Sequence, residues 1–90
     1  VVYVTSEDEG TVSVVDTATR QATAKVKVGR RPRSVAFLPD GSRAFVTNEN
    51  DASVSVVDAQ KHRTLRTIAL EKGLKPMGLA LTRDGKTLYV

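Results

Sequence analysis

Apolar residues in this chain come in short runs broken by polar, glycine or proline positions. The clearest runs are "SVAFLP" (Ser34 to Pro39), "AFVTN" (Ala44 to Asn48), "SVSVVD" (Ser53 to Asp58) and "TLRTIAL" (Thr64 to Leu70). Each is about five to seven residues long, the usual length of a strand, and none repeats at helical spacing. Valine dominates them, and β-branched side chains fit a pleated surface. The breaks are too short for the crossovers that parallel pairing needs, so the pattern predicts an antiparallel meander. In "SVSVV" and "SVAF" apolar or small residues fall on both faces. A sheet wetted on one side alternates more cleanly, so these sheets are expected to face neighbours on both sides.

The pattern is written twice. "YVTSEDEGTVSVVD" (Tyr3 to Asp16) returns 42 positions later as "FVTNENDASVSVVD" (Phe45 to Asp58). After a two-residue insertion, "PRSVAFLPDGSRAFV" (Pro32 to Val46) returns as "PMGLALTRDGKTLYV" (Pro76 to Val90). Asp40-Gly41 and Asp84-Gly85 lie between apolar runs, where an Asp-Gly pair marks a hairpin because glycine accepts positive φ. Asp16 and Asp58 end their runs with carboxylates able to cap the next turn. Pro32 and Pro76 belong at loop ends, since proline cannot donate within a sheet. A repeat of about 40 residues holding four short antiparallel strands describes the blade of a β-propeller.

The expected fold is therefore all-β, with blades that are antiparallel four-stranded meanders. With strands lettered a to d outward from the ring axis, residues 1–32 hold strands b, c and d of a first blade. Residues 33–70 form a complete second blade, and residues 71–90 supply strands a and b of a following one. A ring needs roughly four to eight blades and this chain holds about two. The expectation is either a part of a longer propeller or a protomer completing a ring with other copies. The start at Val1-Val2-Tyr3 without methionine fits a processed, excised or engineered piece.

The strings "YVTSEDEGTVSVVDTAT", "GRRPRSVAFLPDGSRAFVTN" and "PMGLALTRDGKTLYV" closely resemble the YVTN-type β-propeller repeat over essentially the whole chain. The YVTN box stands as Tyr3-Val4-Thr5-Ser6 and Phe45-Val46-Thr47-Asn48. The turn "PDG" stands at Pro39-Asp40-Gly41, with arginine replacing its proline at Arg83-Asp84-Gly85. The resemblance implies a propeller of surface-layer or periplasmic type, and so a periplasmic or cell-surface location. It also implies relatives beside quinone-dependent alcohol oxidation and among haem d1 or lactonase-like proteins. A fold of this kind does not fix an activity.

Composition narrows the chemistry. Apolar residues make up 40% and charged ones 27%, a globular balance. No cysteine is present, which removes disulfides, thiolate metal sites and a cysteine nucleophile. No apolar run is long enough to span a membrane. The net charge of +4 favours solubility without specifying a partner.

In a propeller meander the d-to-a and b-to-c loops emerge on one face. Basic "GRRPR" (Gly29 to Arg33) and "EKGLKP" (Glu71 to Pro76) would then share a face with acidic "SEDEG" and "NENDA". Arg30, Arg31, Arg33, Lys75, Glu7, Asp8 and Asp51 are the candidate ring-mouth contacts for a polar ligand or a protein. The alternative is that these charges pair with each other in solvent. Glu7, Asp8 and Glu9 lack the spacing of a calcium loop, and no metal or cofactor is expected. Arginine clusters grip phosphate, but without interleaved aromatics or a glycine cradle nucleic-acid binding is not expected. His62, the single histidine, stands between Lys61 and Arg63 in a turn expected to be exposed, without partners for a triad or metal site. Val56 is expected to be an interior position of the third strand. The leading functional expectation is a non-catalytic binding or scaffold module whose partners are other blades and an unidentified small molecule or protein. The alternatives are an accessory or enzymatic propeller, and a two-blade piece that assembles with itself.

Overall fold

The valine runs and Asp-Gly pairs become nine strands in a computed structural model, which describes residues 1–90. They are β1 (Val2–Ser6), β2 (Thr11–Asp16), β3 (Gln21–Lys27), β4 (Pro32–Phe37), β5 (Arg43–Asn48), β6 (Ser53–Asp58), β7 (Arg63–Ala69), β8 (Ala80–Leu81) and β9 (Leu88–Tyr89). A single 3₁₀ turn, Glu49–Asp51, lies between β5 and β6. No helix is long and apolar enough to cross a membrane. The chain is all-β, as the pattern predicts. Its sheets run β1-β2-β3, β4-β5-β6-β7 and β8-β9, with every neighbouring pair antiparallel and consecutive.

The two sequence copies fold alike in detail. The ladder between β2 and β3 shifts at Val14/Val15, leaving Thr23 unpaired. The ladder between β6 and β7 shifts at the equivalent Val56/Val57, leaving Leu65 unpaired. An extra residue of this kind bends the strand and increases its twist. The following turns also match. Asp16 Oδ1 accepts from the amides of Ala18 (2.8 Å) and Thr19 (3.1 Å). Asp58 Oδ1 accepts from Gln60 (2.9 Å) and Lys61 (3.0 Å). Arg20 and His62 then close their turns at φ 62° and 56°, in the left-handed region. Capping by Asp16 and Asp58 is thus as expected. Pro32 opens β4, where a missing amide is tolerated, and Pro76 lies outside any strand.

The core lies between the first two sheets. Alternation along the strands sends Tyr3, Val12, Val14 and Val26 from one sheet towards Ala44, Val46, Val57 and Ala59 of the other, and all are buried. The Tyr3 and Phe37 rings meet edge to face at 4.9 Å. Two expectations are corrected here. Val56 is only half-buried: it shares the face of β6 turned away from the first sheet with the sealed Val54, while Val57 is the valine of β6 in the core between the first two sheets. His62 is not a free surface residue. Its ring is half-buried and shares a 2.8 Å hydrogen bond between Nδ1 and the Tyr3 hydroxyl.

Candidate functional site

The candidate face is built from two chain segments zipped together by their backbones. One is Gly29 to Arg31, between β3 and β4; the other is the 3₁₀ turn after β5. Glu49 N donates to Arg31 O (3.0 Å), and Asn50 N donates to Arg30 O (3.2 Å). Beneath them Asn48, fully buried, satisfies several groups at once. Its Oδ1 accepts from Gly29 N (3.0 Å), while its Nδ2 donates to the hydroxyls of Ser53 (3.1 Å) and Ser55 (2.9 Å). Gly29 is required because a Cβ there would lie 2.6 Å from Asn48 Cγ and 2.6 Å from an Asp51 carboxylate oxygen. The adjacent Thr47 looks the other way. Its hydroxyl accepts from Ser34 N (3.0 Å) and donates to Met77 O (3.0 Å). One dipeptide therefore links β5 to the strand before it and to the segment leading into β8.

On this frame the charges form a network rather than isolated pairs. Arg31 reaches Glu49 (3.3 Å) and Glu7 (3.6 Å), and Arg33 reaches Glu49 (2.8 Å) and Glu7 (3.4 Å). Two guanidinium groups thus bridge two carboxylates that belong to different sheets. Arg30 binds Asp51 twice, through Nε (3.1 Å) and through its own amide (2.7 Å). Of the residues named from sequence, Arg30, Arg31, Arg33, Glu7 and Asp51 are brought together. Asp8 makes no ion pair and lines an open cleft of about 320 Å³ beside Glu7, Arg30 and Arg31. Lys75 also makes no ion pair. It lines a separate groove of about 650 Å³ with Arg30, Asp51, Lys72 and Leu74. Arg30 borders both.

Glu49 was not singled out from sequence, although its side chain is only 14% exposed and holds two arginines. The available signal was its identity with Glu7 across the repeat. Asn48 was missed too, since a buried amide hub cannot be told from a turn residue by type. Glu9 stands apart in an exposed pair with Lys25 (3.0 Å), whose hydrogen bond and charge lower its pKa. No group of three or more His, Asp or Glu side chains is placed to share a metal ion. His62 lies on the β6–β7 turn, at the opposite end of the strands from this face. Burial, then the Asp58 carboxylate, push the pKa of its Tyr3 partner up. The face thus offers fixed cations, fixed carboxylates and backbone groups, a surface suited to polar recognition.

Comparison with known proteins places this geometry. Residues 1–90 match the family model described as lactonase, seven-bladed β-propeller. The uncharacterized protein YncE of Salmonella typhi is 37% identical over 90 residues, covering 98% of this chain and 24% of that protein. Hydrazine synthase of Kuenenia stuttgartiensis superposes with a TM-score of 0.91 at 34% identity, over 97% of this chain and 24% of that one. The dihydro-haem d1 dehydrogenase NirN in complex with DHE superposes with a TM-score of 0.80 at 20% identity, over 96% and 18%, a likeness of fold alone. The chain spans 24% of the length of the curated relatives it matches.

Proposed function

The chain belongs to the seven-bladed lactonase-type β-propeller family, and from that premise we propose that it is a non-catalytic binding or scaffold segment contacting a polar ligand or a protein through its charged loop face. The carrying observation is the bridge of Arg31 and Arg33 across Glu7 and Glu49, which fixes charged groups of two adjacent sheets in one surface. Around it Lys72, Lys75 and Asp8 keep charges that no partner neutralises, so the face retains capacity for an outside group. We read the repeats as the YVTN type, with the periplasmic or cell-surface placement that this resemblance implies. A ¹H–¹⁵N titration with succinate and with inorganic phosphate tests the binding role. Shifts confined to Arg30, Arg31, Asn50 and Lys75 support it, and an unresponsive face counts against it.

A second reading, an accessory or enzymatic propeller, is favoured by the family description and by the similarity to hydrazine synthase. It predicts hydrolysis of a simple γ-lactone, or an absorbance change on mixing with haem d1. Turnover by this chain would displace the non-catalytic reading.

A further inference from the structure

The charged face carries the same cleft twice, once per repeat, and the two copies differ in which charges are already spent. The first, of about 320 Å³, lies between the turn Glu7 to Gly10 and the loop holding Arg30 and Arg31. The second, the groove of about 650 Å³, has the equivalent turn Glu49 to Ala52 on one wall. Its other wall includes Leu74 and Lys75, which hold the repeat positions of Arg30 and Arg31. In the second groove Glu49 is held by Arg31 and Arg33, and Asp51 is held by Arg30. Asn50 stands there where the first repeat has Asp8, so that groove keeps spare lysines and no spare carboxylate. In the first cleft Glu7 answers Arg31 and Arg33, and Glu9 answers Lys25, which leaves Asp8 as a carboxylate without a partner. Opposite it, Arg30 is oriented by Asp51 at Nε (3.1 Å) and by Asn50 O at Nη2 (3.3 Å). Arg31 is oriented by Glu49 (3.3 Å) and Glu7 (3.6 Å). A guanidinium has five N–H donors, so both groups keep donors to offer while their direction is fixed. No apolar side chain lines this cleft.

We infer that the first cleft binds a small zwitterion, an α- or ω-amino acid, with its ammonium on Asp8 and its carboxylate on Arg30 and Arg31. This rests on the reading of the face as a polar binding surface and names the ligand class of one part of it. A field runs across the cleft between the carboxylate wall and the guanidinium wall, and a molecule carrying both charges aligns with it. A simple anion gains from the arginines but meets Asp8 and Glu7. A simple cation gains from Asp8 but meets the arginines. Repulsion from the wrong wall therefore discriminates against ligands of a single sign. The purely polar lining favours a short ligand without an apolar side chain. Both walls are fixed before binding. The amides of Glu49 and Asn50 tie down the arginine loop, and the acidic turn is closed by Gly10 N donating to Ser6 O (3.1 Å). Val28 N donating to Gly10 O (3.0 Å) then joins that turn to the end of β3. Each charge contact is solvent-exposed and contributes little alone, so the affinity is low and the selectivity is the signature. The second groove, with spare cations and apolar walls from Ala69, Leu70 and Leu74, takes plain anions and serves as an internal reference.

Titrations of the 90-residue chain followed by ¹H–¹⁵N spectra at neutral pH and fixed ionic strength test this. Glycine, β-alanine and γ-aminobutyrate are compared with acetate, methylammonium, succinate and inorganic phosphate. The best of the three zwitterions should shift the amides of Asp8, Glu9 and Arg31 saturably. It should bind there about fivefold more tightly than acetate or methylammonium, the discrimination one exposed charge contact supplies. Lys72 and Lys75 should respond to acetate as strongly as to any zwitterion. Asp8→Asn, in an exposed turn, should lower zwitterion affinity about fivefold and leave acetate binding undiminished. Should that variant unfold, Asp8→Ser replaces it in the same titration. Acetate or succinate shifting the first cleft as strongly as every zwitterion overturns the inference and leaves the polar-surface reading standing. Zwitterion binding that Asp8→Asn leaves unchanged overturns it as well. A face silent to every ligand, phosphate and succinate included, removes both.

Discussion

Asn48 shows how much one side chain can settle. Its amide satisfies a loop amide and two buried hydroxyls, and all three lose their partner together if it is removed. A buried polar group left unpaired costs about 1–3 kcal/mol, so Asn48→Ala is expected to destabilise by at least that range, measured as a fall in urea midpoint. Ser6 occupies the equivalent place in the first repeat and makes only an exposed 3.4 Å contact with Glu9, so Ser6→Ala should be nearly silent. Gly29 is the complementary case. A methyl group added there meets the Asn48 side chain and Asp51 at 2.6 Å, and overpacking of this kind costs about 1–3 kcal/mol. Gly29→Ala should therefore lower the melting temperature, whereas Gly73→Ala meets no neighbour and is limited to the cost of its positive φ.

At the scale of the element, each Asp that ends a strand ties stability to pH. Amides of Lys61 and Gln60 hold the Asp58 carboxyl below its ordinary value of 3.8, and Thr19 and Ala18 do the same for Asp16. A folded-state value depressed in this way stabilises the fold above the unfolded pKa. That contribution is lost as pH falls below about 3.8 and through the lower folded value. Asp58→Asn keeps the acceptor oxygen but cannot titrate, so its acid unfolding limb should be shallower than the parent's; identical limbs would exclude this cap as a source. Strands and caps were legible because both follow from local rules: two-residue alternation, Asp before a turn, Asp-Gly at a hairpin. The face of each residue was less legible. Val56 and Val57 read alike in "SVSVVD", and only the unpaired Leu65 opposite them and the position of the neighbouring sheet decide which is sealed. His62 escaped for a similar reason, since its partner Tyr3 is 59 residues away. The charged face was legible in its membership but not in its pairing, and Glu49 emerged only once two loops were zipped together.

For the whole molecule, the hydrophobic core cluster lies in the junction between the first two sheets. Val57 is fully buried in it and Val56 is not. Val57→Asp would place an unpaired carboxylate in that core at a cost of several kcal/mol, a large share of what a small domain has to lose. It should abolish the cooperative melt, while Val56→Asp, at a half-buried position outside that core, should keep it. The central claim, that two repeats fold as stacked blades in this orientation, predicts contacts between segments far apart in sequence. The most direct test is a nuclear Overhauser spectrum of the folded chain focused on the Tyr3 ring. Cross-peaks from Tyr3 to both Phe37 and the His62 ring are predicted, because the first pair of rings meets at 4.9 Å and the second at 5.9 Å. A well-folded spectrum in which Tyr3 contacts only residues of its own sheet would contradict the account.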